Sequence, residues 1–359
     1  MQSNSKNRIS GIDVARGIAM ICIVIGHLEG WDIWGIKKAV FPFHVPIFYL
    51  ISGWFFRPEK GWKTFLIKKA KTLLVPYVTS SVLMALIGAL VVWYFHGEPL
   101  ICFRDWIYAM LYGAGDDAPR LLAVPQIGAT WFLLSSFWGV VLLRAVRSLK
   151  PWMRPFAVVA LFLLGNLTNK MIWPLAIQPG CAALLFMYIG NLAREWKDQL
   201  DGTVLQDPVA QAGIRMELKV GAFLVAAAGW LCMWQNFTTF WLVHADAGKG
   251  TLDILGSLCA CWTVLVISVG LDKYVKILAR PLALLGKYSI VMLCAHIIEL
   301  NVIPWWSVLD KLQNHGMSEA LRLPALLALK FGWIFVFMFV VVKIQALHPL
   351  FGIRRRAKG

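Results

Sequence analysis

Ten apolar stretches alternate with short charged segments along the chain: about 11–28, 39–56, 73–95, 129–146, 155–170, 173–192, 219–236, 251–270, 281–303 and 323–347. A helix needs about 20 mostly apolar residues to cross the hydrocarbon core of a bilayer. The pattern therefore predicts an all-α integral membrane protein of about ten transmembrane helices. Only Lys170–Trp173 parts the fifth stretch from the sixth, and Pro174 offers the sixth a helix start. Lys6 and Arg8 before the first stretch resemble the start of a signal peptide. The run continues as His27-Leu-Glu-Gly-Trp without a small-residue cleavage site, so it is read as a retained first helix. No internal repeat is visible, and residues 1–359 are read as one domain.

Composition agrees with the pattern. Of 359 residues, 59% are hydrophobic and 15% charged, against about 45–50% and about 25% in an average soluble domain. Disorder, collagen-like structure and a secreted disulfide scaffold are excluded. The seven cysteines (Cys22, Cys102, Cys181, Cys232, Cys259, Cys261, Cys294) lie mostly in apolar runs and form no CxxC. They are expected as reduced thiols acting as small hydrophobes, with no metal site.

Charge changes the picture in one respect, orientation. Lys and Arg number 35 against 19 acidic residues, a net +16. With a cytoplasmic N-terminus, and with the helix-end residues Arg144, Lys170 and Lys219 counted with the adjoining segments, 23 basic residues fall on inside segments, 8 on outside loops, and 4 (Arg16, Lys287, Lys330, Lys343) within helices. Such a bias over short loops is the positive-inside signal. Both termini are expected in the cytoplasm, with an outer loop at about 96–128 and cytoplasmic loops at about 57–72 and 193–218. The basic charge is spread over six segments facing anionic lipid, which argues against a nucleic-acid partner.

Ionisable residues inside a bilayer are costly and suggest function. The first helix carries Asp13, Arg16 and His27. Eleven residues make three turns plus about 20°, so Arg16 and His27 share one stripe about 16 Å apart. Asp13 is spaced to pair with Arg16. The bland alternative makes Asp13 and Arg16 interfacial anchors and His27 a solvated end residue. His44, His296 with Glu299 one turn on, and Gln126/Trp131 are expected at similar depth, from mid-membrane to the outer side, so a polar cavity is predicted. At the inner end Arg16, Arg57, Lys68 and Lys71 are candidate ligands for a phosphorylated anion, although the positive-inside rule alone accounts for most of this charge. A proton-coupled transporter or flippase of a lipid-linked or anionic substrate, using the histidines as a relay, is the rival reading. Against it, paired broken helices in matching halves are missing.

Several motifs now combine: Arg16-x10-His27; Phe43-His44-Val-Pro46-Ile-Phe48-Tyr-Leu-Ile-Ser52-Gly53; Lys68-Lys69-Ala-Lys71-Thr-Leu-Leu-Val-Pro76-Tyr77; Trp131-Phe132-Leu133; and Gly286-Lys287-Tyr288-Ser289 leading to His296. In this order the chain resembles the acyltransferase-3 family of ten-helix membrane acyltransferases, and within it the fucose 4-O-acetylase-like branch. One departure is Lys68-x-x-Lys71 where the family commonly has two arginines, which keeps the charge but not bidentate geometry. The resemblance implies transfer of an acyl group, usually acetyl from acetyl-CoA, to a hydroxyl of a cell-envelope glycan or lipid-linked sugar at the bacterial inner membrane. In its terms His27 is catalytic and Arg16 helps hold the donor phosphates. His44, His296 and Glu299 complete the candidate catalytic set, Lys68, Lys71 and Arg57 the donor set, and Trp131 and Gln126 the acceptor set. A histidine, with an unperturbed pKa near 6.5, can take a hydroxyl proton at neutral pH; a transient acyl-histidine is the alternative. Trp131 would either stack on a sugar or serve as an interface aromatic.

Overall fold

The computed structural model describes residues 10–28, 35–59, 61–202, 208–237 and 240–353. It is all-helical, with no strand among the described residues. The helices are α1 (Ser10–Gly26), α2 (Ile36–His44), α3 (Pro46–Trp54), α4 (Trp62–Lys69), α5 (Val75–Tyr94), α6 (Pro99–Tyr112), α7 (Trp131–Arg147) and α8 (Met153–Leu167). They continue as α9 (Ile177–Gly202), α10 (Pro208–Gln235), α11 (Thr251–Tyr274), α12 (Lys276–Lys287), α13 (Ser289–Val302), α14 (Trp305–Asn314) and α15 (Arg322–Lys343). A π-turn over Ala70–Leu74 joins α4 to α5.

Six helical segments among the described residues are long and apolar enough to cross a membrane: Trp62–Tyr94, Gly128–Arg147, Pro174–Gln199, Leu218–Gln235, Thr251–Tyr274 and Glu319–Lys343. Counting α12 with α13 as one broken span makes seven. This is fewer than the ten stretches of the sequence pattern, and the four differences have local causes. The 17 residues of α1 and 15 of α8 rise about 26 and 22 Å, short of a core about 30 Å thick. The stretch at 281–303 breaks at Tyr288 between α12 and α13. The stretch at 39–56 breaks at Val45, because Pro46 has no N–H to give the Pro42 carbonyl one turn back. That freed carbonyl instead accepts the Ser257 hydroxyl at 2.6 Å, which keeps a buried backbone group satisfied where water is absent.

The segments expected as loops are partly helical as well. The 96–128 segment contains α6, the 57–72 segment contains α4, and α9 and α10 extend into 193–218. The N-terminal segment before Ser10 and the basic tail after Ile353, whose cytoplasmic placement was expected, lie outside the described residues.

The chain divides into two compact units. The first comprises Met1–Pro58, Trp138–Asn169 and Gln178–Ser289; the second, Glu59–Phe137, Lys170–Ile177 and Ile290–Gly359. In the first unit Ala15, Ala19, Phe43, Ile47, Ile51, Ala260, Cys261 and Val264 form a buried core across α1, α2, α3 and α11. Two backbone-close crossings flank it. Gly17 and Gly286 let α1 and α12 touch, and Gly53 and Gly190 do the same for α3 and α9. Small residues at such crossings are how apolar helices gain van der Waals contact in lipid, where hydrophobic burial offers nothing extra.

In the second unit Tyr77 on α5 ties down the end of α6, its hydroxyl donating to the Met110 carbonyl at 2.5 Å. Met110 is among the last residues of α6, where carbonyls lack helical partners. Tyr112 donates to the Ile172 carbonyl at 2.7 Å and accepts from the Leu121 amide at 3.0 Å, pinning the segment after α6. Tyr77→Phe is expected to lower stability by about 1 kcal/mol, read as a fall in the thermal midpoint of the detergent-solubilised protein.

Candidate functional site

The sequence candidates fall into two groups, one in each unit. In the first unit α1 supplies Asp13, Arg16 and, just past its end, His27. The expected pair forms: Arg16 Nη1 lies 3.7 Å from Asp13 Oδ1, with Asp13 buried and Arg16 partly exposed. His27 closes the C-terminus of α1. Its backbone N–H donates to the Ile23 carbonyl at 3.2 Å, and its ring Nδ1 lies 2.8 Å from the same oxygen. A carbonyl oxygen can only accept, so Nδ1 carries the hydrogen and a neutral ring keeps its lone pair on Nε2.

The same device fixes His44, whose Nδ1–H donates to the Val40 carbonyl at 3.0 Å. His44 is buried at the break between α2 and α3. Its ring lies 4.7 Å from Phe41 and 6.5 Å from His27, edge-on to the latter. Gly26 leaves room for the Phe41 ring against α1, since a Cβ there would come within 3.4 Å of it. The first unit thus brings His27 and His44 together with defined tautomers. Arg57, at the end of α3, is exposed and donates to the Phe56 carbonyl at 3.1 Å.

The second group is fully buried. His296 and Glu299, one turn apart on α13, are both 0% exposed, and His296 Nδ1 lies 2.7 Å from Glu299 Oε1. Two residues the sequence reading did not assign complete the arrangement. Lys330 Nζ on α15 reaches Glu299 Oε2 at 3.0 Å and Oε1 at 3.2 Å, and Trp305 Nε1 on α14 donates to Oε2 at 2.5 Å. The signal for Lys330 was a single ammonium in the middle of an otherwise apolar span. That burial demands a counter-charge. Nothing local in the sequence singled out Trp305.

The other second-unit candidates sit apart from this cluster's contacts. Lys68 is engaged in an ion pair with Glu59, so its charge is already partly neutralised. Lys71, in the π-turn, and Gln126, before α7, are exposed. Trp131 is 8% exposed and packs edge-on against Phe132 at 6.4 Å, which fits a packing role at the start of α7.

The motif residues outside these groups have structural reasons. Gly53 and Gly286 sit where another backbone passes, Pro46 starts α3, and Tyr77 caps α6. No curated protein and no solved structure matches the chain. A family model described as an acyltransferase domain matches residues 9–343, nearly its whole length. The chain therefore belongs to the acyltransferase-3 family, and acyl transfer by a multi-pass helical membrane protein is its class of chemistry.

Proposed function

We propose that the protein moves an acyl group, acetyl in the first instance, from acyl-CoA on the cytoplasmic side to a hydroxyl of a cell-envelope glycan or lipid-linked sugar. The fucose 4-O-acetylase-like motifs favour a sugar acceptor, and the 23-to-8 bias of basic residues favours ten crossings with both termini inside, in a bacterial inner membrane. The observation that carries the proposal is the locked His27 ring. Nδ1–H is held by the Ile23 carbonyl, so the lone pair of the neutral ring is on Nε2, the atom that takes the hydroxyl proton in this reading.

As the hydroxyl oxygen attacks the thioester carbonyl, its proton passes to His27 Nε2. The carbon–sulfur bond then breaks, and the proton goes on to the leaving sulfur, giving ester and free thiol. Arg16 would bind donor phosphate from the same helix, with Arg57 as a further cation of the first unit; Asp13 beside Arg16 holds its side chain in place. His44 supports the His27 ring.

The test is purified protein with acetyl-CoA and candidate glycans, following free thiol and acetyl ester together. Equal appearance of both supports the reading. A transporter of the same substrates releases no thiol, and that outcome overturns it. Arg16→Ala is expected to remove most of the thermal stabilisation that CoA gives the protein. A ligand at about 100 times its Kd adds about 2.7 kcal/mol, so a hundredfold weaker site leaves only a few tenths.

A further inference from the structure

The buried cluster of the second unit asks why a lysine stands in the middle of the apolar helix α15. Lys330 is 4% exposed, and the carboxylate it faces is fully buried. Glu299 has three donors around two oxygens. Oε2 accepts from Trp305 Nε1 and faces Lys330; Oε1 faces Lys330 and His296 Nδ1. An indole N–H and an ammonium only donate, so both oxygens are placed as acceptors, which is what an ionised carboxylate offers. With the ammonium beside it the pair is neutral as a whole, the condition under which buried charge is tolerated. With a carboxylate at 2.7 Å, His296 Nδ1 carries the hydrogen and donates it to Oε1, and the neutral imidazole keeps its lone pair on Nε2.

We infer that Lys330 is a positioning residue: its ammonium holds Glu299 as a carboxylate and, through it, holds His296 as the Nδ1–H tautomer, so that Nε2 can accept a hydrogen bond from a substrate hydroxyl other than the one that reacts. Naming the hydroxyl rests on the acyl-transfer reading; the charge and tautomer assignment stands on the contacts alone. Trp305 sets the angle of the carboxylate by holding Oε2, so α13, α14 and α15 each contribute one part of the arrangement. Without the lysine the buried carboxylate has no counter-charge, and burial then favours its neutral form. A protonated Glu299 would donate to Nδ1, moving the ring hydrogen to Nε2 and turning an acceptor into a donor.

The tautomer is directly measurable, because His296 is the one histidine in the chain preceded by alanine. Full-length protein carrying 13C-carbonyl alanine and 15N-histidine isolates its backbone signal, from which the ring nitrogens are reached by NMR. The expected wild-type spectrum has a protonated Nδ1 and an unprotonated Nε2; the reverse overturns the inference, with no variant required. In Lys330→Met the pattern is expected to reverse, and an unchanged pattern overturns it. In acyl-transfer assays Lys330→Met is expected to lower kcat/KM for the acceptor about 100-fold while the KM for acyl-CoA stays within about twofold. A folded Lys330→Met with wild-type kinetics means the cluster only ties helices together, and overturns the inference while leaving the acyltransferase intact. Wild-type protein that releases no thiol from any donor overturns the acyl-transfer reading instead, and the NMR result then stands by itself.

Discussion

His27→Ala is expected to reduce acyl transfer about 1,000-fold while leaving the protein folded and able to bind acyl-CoA. A positioned general base contributes about 10²- to 10⁴-fold, and an alanine neither takes the hydroxyl proton nor carries an acyl group. The structural cost is small by comparison. The side chain is half-buried at the end of α1, and its Nδ1–H donates to a terminal carbonyl, Ile23, a contact worth about 1 kcal/mol. The Ile23 carbonyl also keeps the backbone N–H of residue 27, which alanine retains. The measurement is kcat from thiol release, paired with the thermal shift produced by acetyl-CoA in wild type and variant. Loss of turnover with the shift preserved places the defect in chemistry. Full activity in His27→Ala would sink the mechanism. His27→Ala and Arg16→Ala thus separate two functions of one helix, since the arginine variant is expected to lose the shift.

What could be read in the sequence follows from how far each interaction reaches along the chain. Unbroken apolar runs such as 251–270 and 323–347 became long helices because length and hydropathy are properties of the segment itself. Pairs one turn apart were equally legible. Asp13 with Arg16 and His296 with Glu299 follow from helical spacing alone. The break in the run at 39–56 is not legible because an apolar count does not register the N–H that Pro46 lacks, and the substitute donor to the Pro42 carbonyl, Ser257, is 215 residues away. The partner of Lys330 is not legible, since its 31-residue separation from Glu299 includes the whole of α14 and carries no period. The Lys68–Glu59 pair is not legible in the sequence, because Glu59 lies nine residues back, a spacing that no single helix brings together. The tautomers of His27 and His44 were illegible for a different reason: they depend on which carbonyl the ring meets, and that is set by where each helix ends.

Gly286→Val is expected to be the most destructive single substitution away from the proposed chemistry. A Cβ at residue 286 would collide with the Asp13 carbonyl oxygen of α1 and come within 2.9 Å of the Gly17 backbone nitrogen. A Cβ at Gly17 would in turn strike the Leu282 backbone of α12. Both obstacles are main chain inside helices, which cannot step aside as a side chain can, so the two helices must separate along their contact. Overpacking a well-packed site typically costs about 1–3 kcal/mol. Here the cost is expected at or above the top of that range, because separation also forfeits the dispersion contacts that hold helices together in lipid. The expected readout is loss of the monodisperse peak in detergent size-exclusion chromatography, or a thermal midpoint lowered by more than that of Tyr77→Phe. Gly332→Ala on α15 is the matched control, since a Cβ there meets nothing within 4 Å. Alanine at that position is expected to be neutral or to stabilise the helix by up to about 1 kcal/mol. Equal damage from both substitutions would mean that glycine flexibility, and not backbone contact, is what Gly286 provides. Because α1 carries Asp13, Arg16 and His27, a Gly286→Val protein that still folds is expected to lose acyl transfer through displacement of that helix, with both glycine-paired backbones forced apart at the level of the Asp13–Arg16 pair.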